Sequence, residues 1–222
     1  MFLGHFAVGF AAKRVAPAVS LGIFFAAAQF ADLLWPNLVL LGIERVEVVD
    51  GVTAVTPLDF VWYPWSHSLL ALFVWGVLFG LLHWAARKSV PAALVLWAVV
   101  VSHWVLDALV HRPDLPLTPA GAARFGLGLW NSAAATALLE VSFLAAGVWL
   151  YAKATRPRDR RGTWGLRALV GFLVAIFAVN LAGPPPPSAV AVAWTAQAMW
   201  LLVLAGFWVD RHRTSAFATH ES

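Results

Sequence analysis

The sequence has no cysteine and little charge. None of its 222 residues is cysteine, and charged residues make up 12% of the chain. The absence of cysteine excludes disulfides and thiolate metal sites, so a bound metal would need histidine and carboxylate ligands. A soluble domain carries about 25% charged residues, so this chain has too little charge to cover a surface that faces water. The chain is instead apolar, with 61% hydrophobic residues and a mean hydropathy of +0.79.

The apolar residues are grouped into long stretches. A membrane-spanning helix needs about 20 mostly apolar residues. An all-α polytopic membrane bundle with about six spans is therefore predicted, in the ranges 17–43, 66–86, 90–110, 125–152, 164–182 and 188–209. Within the first range, a break is expected at Trp35 and Pro36, because proline cannot continue a helix normally. One transmembrane domain over 1–210 and a disordered cytoplasmic tail over 211–222 follow.

The Lys and Arg residues divide unevenly between the two predicted sides of the membrane. Three of them, Arg45, Arg112 and Arg124, fall on one side. The other twelve fall on the opposite side: Lys13, Arg14, Arg87, Lys88, Lys153, Arg156, Arg158, Arg160, Arg161, Arg167, Arg211 and Arg213. The positive-inside rule then places both termini in the cytoplasm. Because these charges border apolar spans, the expected partner is the lipid bilayer, and no nucleic acid is expected. The first residues have no basic segment ahead of their apolar stretch, so no cleavable signal peptide is expected.

The longest outer loop covers residues 44–65. Its segment VEVVDGVTAV reads as two short alternating strands around Asp50 and Gly51, which predicts an outer β-hairpin. Trp62, Tyr63 and Trp65, at the end of this loop, are expected in an aromatic belt at the membrane interface.

Ionisable residues inside spans are costly and usually functional. In SHWVLDALVH, His103, Asp107 and His111 lie four residues apart and therefore share one helix face. His67 opens the second span and Asp32 lies within the first. At a rise of about 1.5 Å per residue, these spans bring their polar residues to a similar depth in the outer half of the membrane. The pattern predicts a metal site, and its alternative is a set of His–Asp hydrogen bonds that stabilises helix contacts.

The energies favour the metal site. An aspartate at the centre of a span costs about 2.5–3.5 kcal/mol. A structural zinc ion supplies about 10–16 kcal/mol of apparent binding energy, whereas a hydrogen bond between membrane helices averages about 0.6 kcal/mol. A water-filled cavity is the other way to offset the cost.

The position of His5 depends on the first helix. If residues 1–12 form a short helix that dips into the bundle, His5 can reach Asp107 or Asp32. The alternative is an amphipathic helix at the interface with a solvated His5.

Three further polar residues are predicted in the fourth span. Glu140 is expected to be a hydrogen-bond acceptor for a ligand histidine, a further ligand or a general base. Asn131 and Ser132 lie near the outer mouth, where they would orient a substrate or simply pack between helices. No site role is expected for the remaining histidines, which lie near the inner end of a span or in the tail: His83, His212 and His220.

Five segments carry a family resemblance. In order, HFAVGFAAKR, AQFADLLWP, PLDFVWYPWSHSL, SHWVLDALVHRPDLPL and GLWNSAAATALLE resemble the bacterial inner-membrane metal-dependent hydrolases of the YdjM-like group. The resemblance covers about residues 4–151. That group is distantly similar to the all-helical zinc-dependent phospholipases C and the single-strand-specific zinc nucleases.

The resemblance implies a ligand set for one metal ion: Asp32, His67, His103 and Asp107. It also implies that Asp107 bridges to a second metal bound by His5, with His111 near a further ligand position. The later His-x-x-x-Glu pair of the soluble enzymes is absent, and Asn131 and Glu140 are its nearest substitutes.

Three functions are compatible with the sequence. The first is a membrane-embedded metal-dependent hydrolase, acting on a phosphoester of a lipid or other amphiphilic small molecule. Zinc is the first choice of metal for nitrogen and oxygen ligands, with manganese or iron as alternatives. The second is a proton- or cation-coupled transporter that uses the same cluster, which predicts polar residues continuing to the inner side, where only His83, Asn180 and Gln197 occur. The third is a structural membrane protein with a polar network.

Overall fold

The computed structural model describes residues 1–217, so His220 lies outside the described residues. The helices are α1 (Leu3–Val15), α2 (Leu21–Ala28), α3 (Phe30–Leu40), α4 (Pro64–His67), α5 (Leu69–Arg87), α6 (Val90–Val110), α7 (Ala133–Ala154), α8 (Arg160–Ala182), α9 (Ala189–Ala196) and α10 (Met199–Arg211). Short antiparallel strand pairs join β1 (Arg45–Val48) to β2 (Leu58–Trp62), β3 (Leu115–Pro116) to β4 (Arg124–Phe125), and β5 (Thr155–Pro157) to β6 (Arg213–Ser215). The predicted all-α helix bundle is confirmed.

Within residues 1–217, five helical segments are long and apolar enough to cross a membrane: α5, α6, α7, α8 and the α9–α10 segment. The bent pair α2 and α3 passes the same test when taken together, and counting the pair as one broken span gives the six spans that were predicted. The fourth span begins later than predicted, because residues 129–131 form a single 3-10 turn before α7 starts at Ala133. We call the end of the bundle that carries β1 and β2 the hairpin end, and the opposite end the basic end.

The break in the first span lies at Gln29, where α2 and α3 meet at an angle of 53°. The expected break at Pro36 is wrong, because α3 continues through this residue. Proline removes one backbone donor from a helix, here the one that would bond the Asp32 carbonyl, and this loss does not end α3. The bend at Gln29 leaves the Ala28 carbonyl free for a partner outside its own helix.

Helix α1 is too short to span the membrane and lies inside the bundle. Its side chains Leu3, Phe6 and Phe10 are fully buried, and the helix packs against α7, α2 and α6. A Cβ atom at Gly147 of α7 would lie 2.4 Å from the Ala7 carbonyl oxygen, so glycine is what permits this close approach. The predicted short N-terminal helix is confirmed, and its position brings His5 into the bundle.

The β-hairpin is present, but its second strand differs from the prediction. β1 pairs with β2, and Glu47 lies opposite Asp59. The segment around residues 52–55 was expected to form this strand, but it belongs to the connection. There the Thr53 hydroxyl accepts hydrogen bonds from the backbone amides of Val55 and Thr56, which holds a turn instead of a strand.

The beginning of the tail is ordered. β6 pairs with β5, and Arg213 is buried, donating to the Thr155 hydroxyl at 2.9 Å and to the Gly162 carbonyl at 2.8 Å. The expectation of a disordered tail is therefore wrong for residues 213–215, because the guanidinium of Arg213 finds backbone and hydroxyl acceptors inside the bundle.

Candidate metal centre

Polar side chains from four helices, one of them extended by the capping residue His111, converge near the hairpin end. They come from α1, α3, α4 and α6, and they are His5, Asp32, His67, His103, Asp107 and His111. All are buried except Asp32, whose side chain is 26% exposed. Each helix brings its residue to the cluster in a different way. Helix α1 inserts into the bundle with His5, the bend at Gln29 places Asp32 in the first turn of α3, and His103 and Asp107 share one face of α6.

The Asp107 carboxylate lies at the centre of this cluster. Its Oδ1 atom is 3.1 Å from His5 Nε2 and also contacts the amino group of Met1. Its Oδ2 atom is 3.2 Å from His103 Nε2, 3.8 Å from His111 Nε2 and 3.9 Å from His67 Nε2. The two oxygens of one carboxylate therefore face two different groups of imidazoles.

Asp32 completes the second group. Its Oδ1 atom is 3.4 Å from His67 Nε2 and 3.9 Å from His103 Nε2. The ring of His103 also stacks on the ring of His5, with centroids 3.6 Å apart. Two sets of potential ligand atoms result, each lying within 4.8 Å of one another: His5, His103 and Asp107 in one, and Asp32, His67 and His103 in the other.

Three of the imidazoles share one orientation. The Nδ1 atom of His103 is 2.8 Å from the Ala28 carbonyl oxygen, that of His67 is 2.7 Å from Ser66 Oγ, and that of His111 is 3.0 Å from Asp114 Oδ1. Each Nδ1 atom thus contacts an oxygen, and each Nε2 atom is turned towards a carboxylate of the cluster. His103 Nε2 is buried and has no hydrogen-bond partner.

This geometry suits a metal ion. In a tetrahedral site with ligand bonds of about 2.0–2.1 Å, neighbouring ligand atoms lie about 3.3 Å apart. The separations between the imidazole nitrogens and the carboxylate oxygens run from 3.1 to 3.9 Å. Imidazole and carboxylate are also ligands that zinc prefers. The two sets, Asp32 with His67 and His103, and Asp107 with His5 and His103, therefore each have a spacing that could hold an ion.

Glu140 has a different set of partners from those predicted. Its carboxylate accepts hydrogen bonds from the backbone amides of Phe2, at 3.0 and 3.1 Å, and Gly4, at 3.2 Å. These are unsatisfied donors at the start of α1, a position where a carboxylate is favourable. Glu140 therefore holds the helix that carries His5.

Asn131 and Ser132 lie outside the cluster of buried ligands. Asn131 is exposed in the 3-10 turn, and Ser132 caps α7 by accepting a hydrogen bond from the Ala135 amide at 3.3 Å. The preceding residue, Trp130, places its ring 4.3 Å from that of His111. The remaining histidines lie elsewhere: His83 is half-buried near the basic end of α5, and His212 contacts Asp159 at 2.8 Å.

Sequence reasoning missed three residues, Glu44, Tyr63 and Asp114, that contact the histidines of the cluster or their partners. Glu44 is buried and accepts a hydrogen bond from Ser66 Oγ at 2.6 Å. Tyr63 is buried instead of lying in an interfacial belt, and it donates to Asp114 Oδ1 at 3.1 Å. Asp114, the third residue, lies three residues after His111 and directly after Pro113. That spacing was the signal that could have predicted its contact with His111.

The electrostatics of the two loop carboxylates differ. Burial raises the pKa of Glu44, and the hydrogen bonds from Ser66 and Trp65 offset only part of that effect. Burial also acts to raise the pKa of Asp114, but the hydrogen bond with His111 and that from Arg112 outweigh it, so the pKa of Asp114 is lowered.

The bundle and its spans define a polytopic membrane protein. A family model described as the YdjM inner membrane protein matches residues 64–184, which is more than half of the 222 residues. The chain belongs to the YdjM inner membrane protein family, and its environment is the lipid bilayer of the inner membrane. No curated protein and no solved structure matches the chain.

The family match and the resemblance described above cover different ranges. The match starts at residue 64 and continues through α8, whereas the resemblance starts near residue 4. His67, His103, Asp107 and His111 fall within the matched range, while Asp32 and the α1 residue His5 precede it.

Proposed function

We propose that this protein is a membrane-embedded metal-dependent hydrolase that acts on a phosphoester of a lipid or another amphiphilic molecule. The observation that carries the proposal is the convergence of His67, His103 and Asp107 with Asp32 at separations that fit a tetrahedral metal site. Three Nε2 atoms face the buried carboxylate of Asp107 and the partly exposed carboxylate of Asp32. A cation between them would satisfy both kinds of group at once.

Asp32, His67, His103 and Asp107 would hold the first ion, and Asp107 with His5 would hold a second. Zinc is the first choice for these ligands, with manganese or iron as alternatives. With these four protein ligands, a zinc ion would take water as a fifth ligand, and it would then supply hydroxide near neutral pH and polarise a phosphoryl oxygen. As part of this proposal, the chemistry would be similar to that of the zinc-dependent phospholipases C and the zinc nucleases.

The protein residues divide the remaining work. Asp32 is the most exposed of the buried cluster, which makes its carboxylate the best-placed proton acceptor for a water molecule that enters. Glu140 fixes the start of α1 and thereby positions His5. Asn131 is exposed beside Trp130, and in this proposal it would orient a substrate at the mouth of the site.

An aromatic wall favours an amphiphilic substrate. The rings of Trp130 and Phe60 lie 4.3 and 5.0 Å from the ring of His111, and they stack on each other at 6.2 Å. An apolar surface beside ligands for a cation suits a molecule with a phosphate head and an apolar chain. The bilayer would supply such molecules directly.

The region between the cluster and the basic end weighs against the transporter. Fully buried apolar side chains fill it, including Phe24, Leu96 and Val100. A relay of protons or cations needs polar groups or water along its path. A closed hydrolytic site on one side of the membrane agrees better with this packing.

The same proposal includes an orientation. The basic end carries twelve of the fifteen Lys and Arg residues, so the positive-inside rule places it in the cytoplasm. The C-terminal helix α10 ends at that side. The hairpin and the cluster would then face the outer half of the membrane, where substrates enter from the outer leaflet.

The test is hydrolysis by purified protein in mixed micelles of detergent and a phosphatidic acid. After removal of metals by a chelator, zinc, manganese or iron is added back separately. At least one metal should restore phosphate release, and Asp107→Asn should lower the rate at least about 100-fold, since a metal contributes several kcal/mol of transition-state stabilisation.

The matched control is His83→Ala, which removes a histidine far from the cluster and should retain activity. Phosphate release that is equal in the wild type and Asp107→Asn with every metal would contradict the proposal for this substrate class. Cation flux in proteoliposomes that depends on Asp107 would instead support the transporter.

A further inference from the structure

The β1–β2 hairpin connects to two of the ligand histidines. Glu44 directly precedes β1 and contacts Ser66, which is next to His67. On the other strand, Asp59 forms an ion pair with Arg112. Arg112 Nε in turn donates to Asp114 Oδ2 at 3.0 Å, and Asp114 contacts His111. Both strands of the hairpin thus reach an imidazole through a buried or half-buried carboxylate.

The hydrogen-bond directions at His67 follow from the donor inventory. Ser66 Oγ has a single hydrogen, and a carboxylate can only accept, so this hydrogen goes to Glu44 Oε2 at 2.6 Å. Ser66 Oγ can then only accept from His67 Nδ1, at 2.7 Å. The proton on Nδ1 leaves the lone pair on Nε2, the atom that faces Asp32 and Asp107.

The same logic holds at His111. Asp114 Oδ1 accepts from Tyr63 at 3.1 Å and lies 3.0 Å from His111 Nδ1. The Tyr63 hydroxyl also lies 3.3 Å from Nδ1, but its single hydrogen is donated to Asp114. Because both Asp114 oxygens act as acceptors, Nδ1 is the donor to Asp114. At His103 the acceptor is the Ala28 carbonyl, freed by the bend of the first span.

We propose that Glu44 and Asp114 are positioning residues that fix the tautomers of His67 and His111, so that both Nε2 atoms are presented as metal ligands. The inference rests on the proposed function for its purpose. Through Glu44 and the Asp59–Arg112 pair, the hairpin itself becomes part of the support of the metal centre. Partners of this kind typically change metal affinity by about 10–100-fold.

Two isosteric variants test the proposal. In Glu44→Gln, the backbone amides of Trp65 and Ser66, which donate to Oε1 at 2.8 and 2.9 Å, require an oxygen at that position. The new amide nitrogen then faces Ser66 Oγ and donates to it. The Ser66 hydroxyl must therefore donate its own hydrogen to His67 Nδ1, and the imidazole proton moves to Nε2.

In Asp114→Asn, the donor Arg112 Nε keeps the oxygen on its side. The new amide nitrogen therefore faces His111 Nδ1, and His111 should change tautomer in the same way. The matched control is Glu47→Gln, which alters an exposed carboxylate on β1.

The first measurement is the NMR chemical shift of the imidazole nitrogens in metal-free protein with isotope-labelled histidine. The sample is held at a pH above the ordinary titration range of histidine. In the wild type, His67 and His111 should carry the proton on Nδ1. Glu44→Gln should change only His67, Asp114→Asn only His111, and Glu47→Gln neither. His103 is the internal control for folding, because a backbone carbonyl fixes its tautomer.

The second measurement is the affinity for zinc, which should fall about 10–100-fold in both variants and stay unchanged in Glu47→Gln. Any other protonation state of wild-type His67, or an unchanged His67 in Glu44→Gln, would overturn the positioning role. A wild type with the expected tautomers that binds no zinc would leave that role standing and would refute the proposed function instead.

Discussion

Two buried polar clusters lie at opposite ends of this bundle, and they differ in how their charges are balanced. At the basic end, Lys13 donates to Asp210 at 2.6 Å and to the Val19 carbonyl at 2.9 Å. Tyr151 and the Leu21 amide donate to the same Asp210 carboxylate. None of these groups has an unpartnered buried side-chain atom in the part of the chain that the structure describes.

The cluster at the hairpin end is less completely balanced, although the amino group of Met1 contacts Asp107. It has two carboxylates and four imidazoles, and its nitrogen atoms include the unpartnered His103 Nε2 and His5 Nδ1. Burying charge without a partner is expensive, so the comparison separates a structural ion pair from the proposed cation site. Burial alone would not distinguish the two, because both clusters are buried.

The largest expected effect on folding lies at the basic end. Lys13→Met keeps most of the side-chain volume but leaves Asp210 buried without its cation, which should lower the free energy of unfolding by about 3–5 kcal/mol. The measurement is unfolding in detergent. Lys153→Met, at an exposed position of α7, is the control, and equal stability of the two variants would break the comparison.

The hairpin end should respond to zinc. At a free zinc concentration about 100 times the dissociation constant, binding should add about 2.7 kcal/mol to the stability of the wild type. Asp32→Asn should show little of this increase, while its chelator-treated form should stay within about 1 kcal/mol of the wild type, because no protein cation is lost. Thermal unfolding with and without zinc checks this, and zinc-independent unfolding of the wild type would remove the difference between the two ends.

The smallest effect concerns the placement of His5. Gly147→Ala forces α7 away from the Ala7 backbone, and overpacking of this kind costs about 1–3 kcal/mol. Because α1 carries His5, zinc stoichiometry should fall towards one ion while the site at His67 and His103 is retained. The control is Gly171→Ala, because a Cβ atom added at Gly171 would have no neighbouring atom within 4 Å. Equal zinc content in the two variants would show that α1 does not position a second ion.

The lengths of the apolar stretches and the helical spacing of polar residues predicted much of the bundle. The apolar stretches located the five long apolar segments and the bent α2–α3 pair, and the spacing of His103, Asp107 and His111 located one face of α6. These features depend on local sequence, since a helix repeats every 3.6 residues and a span has a fixed length.

The parts that the sequence did not reveal depend on contacts between distant residues. Gln29 has no helix-breaking signature, so its bend was assigned to Pro36. The roles of Glu44, Tyr63 and Glu140 arise only when loops and helix starts meet in space. Ordering of Arg213 likewise requires acceptors that lie about fifty residues earlier in the chain.

The central claim is that the hairpin-end cluster binds a metal ion, and elemental analysis of detergent-purified protein tests it most directly. Wild type, His103→Ala, Asp107→Ala and the control His83→Ala are compared after reconstitution with zinc and removal of excess. We predict at least one zinc ion per chain in the wild type and the control, and its loss in both ligand variants. A wild type that remains free of zinc, manganese and iron after reconstitution would contradict the claim.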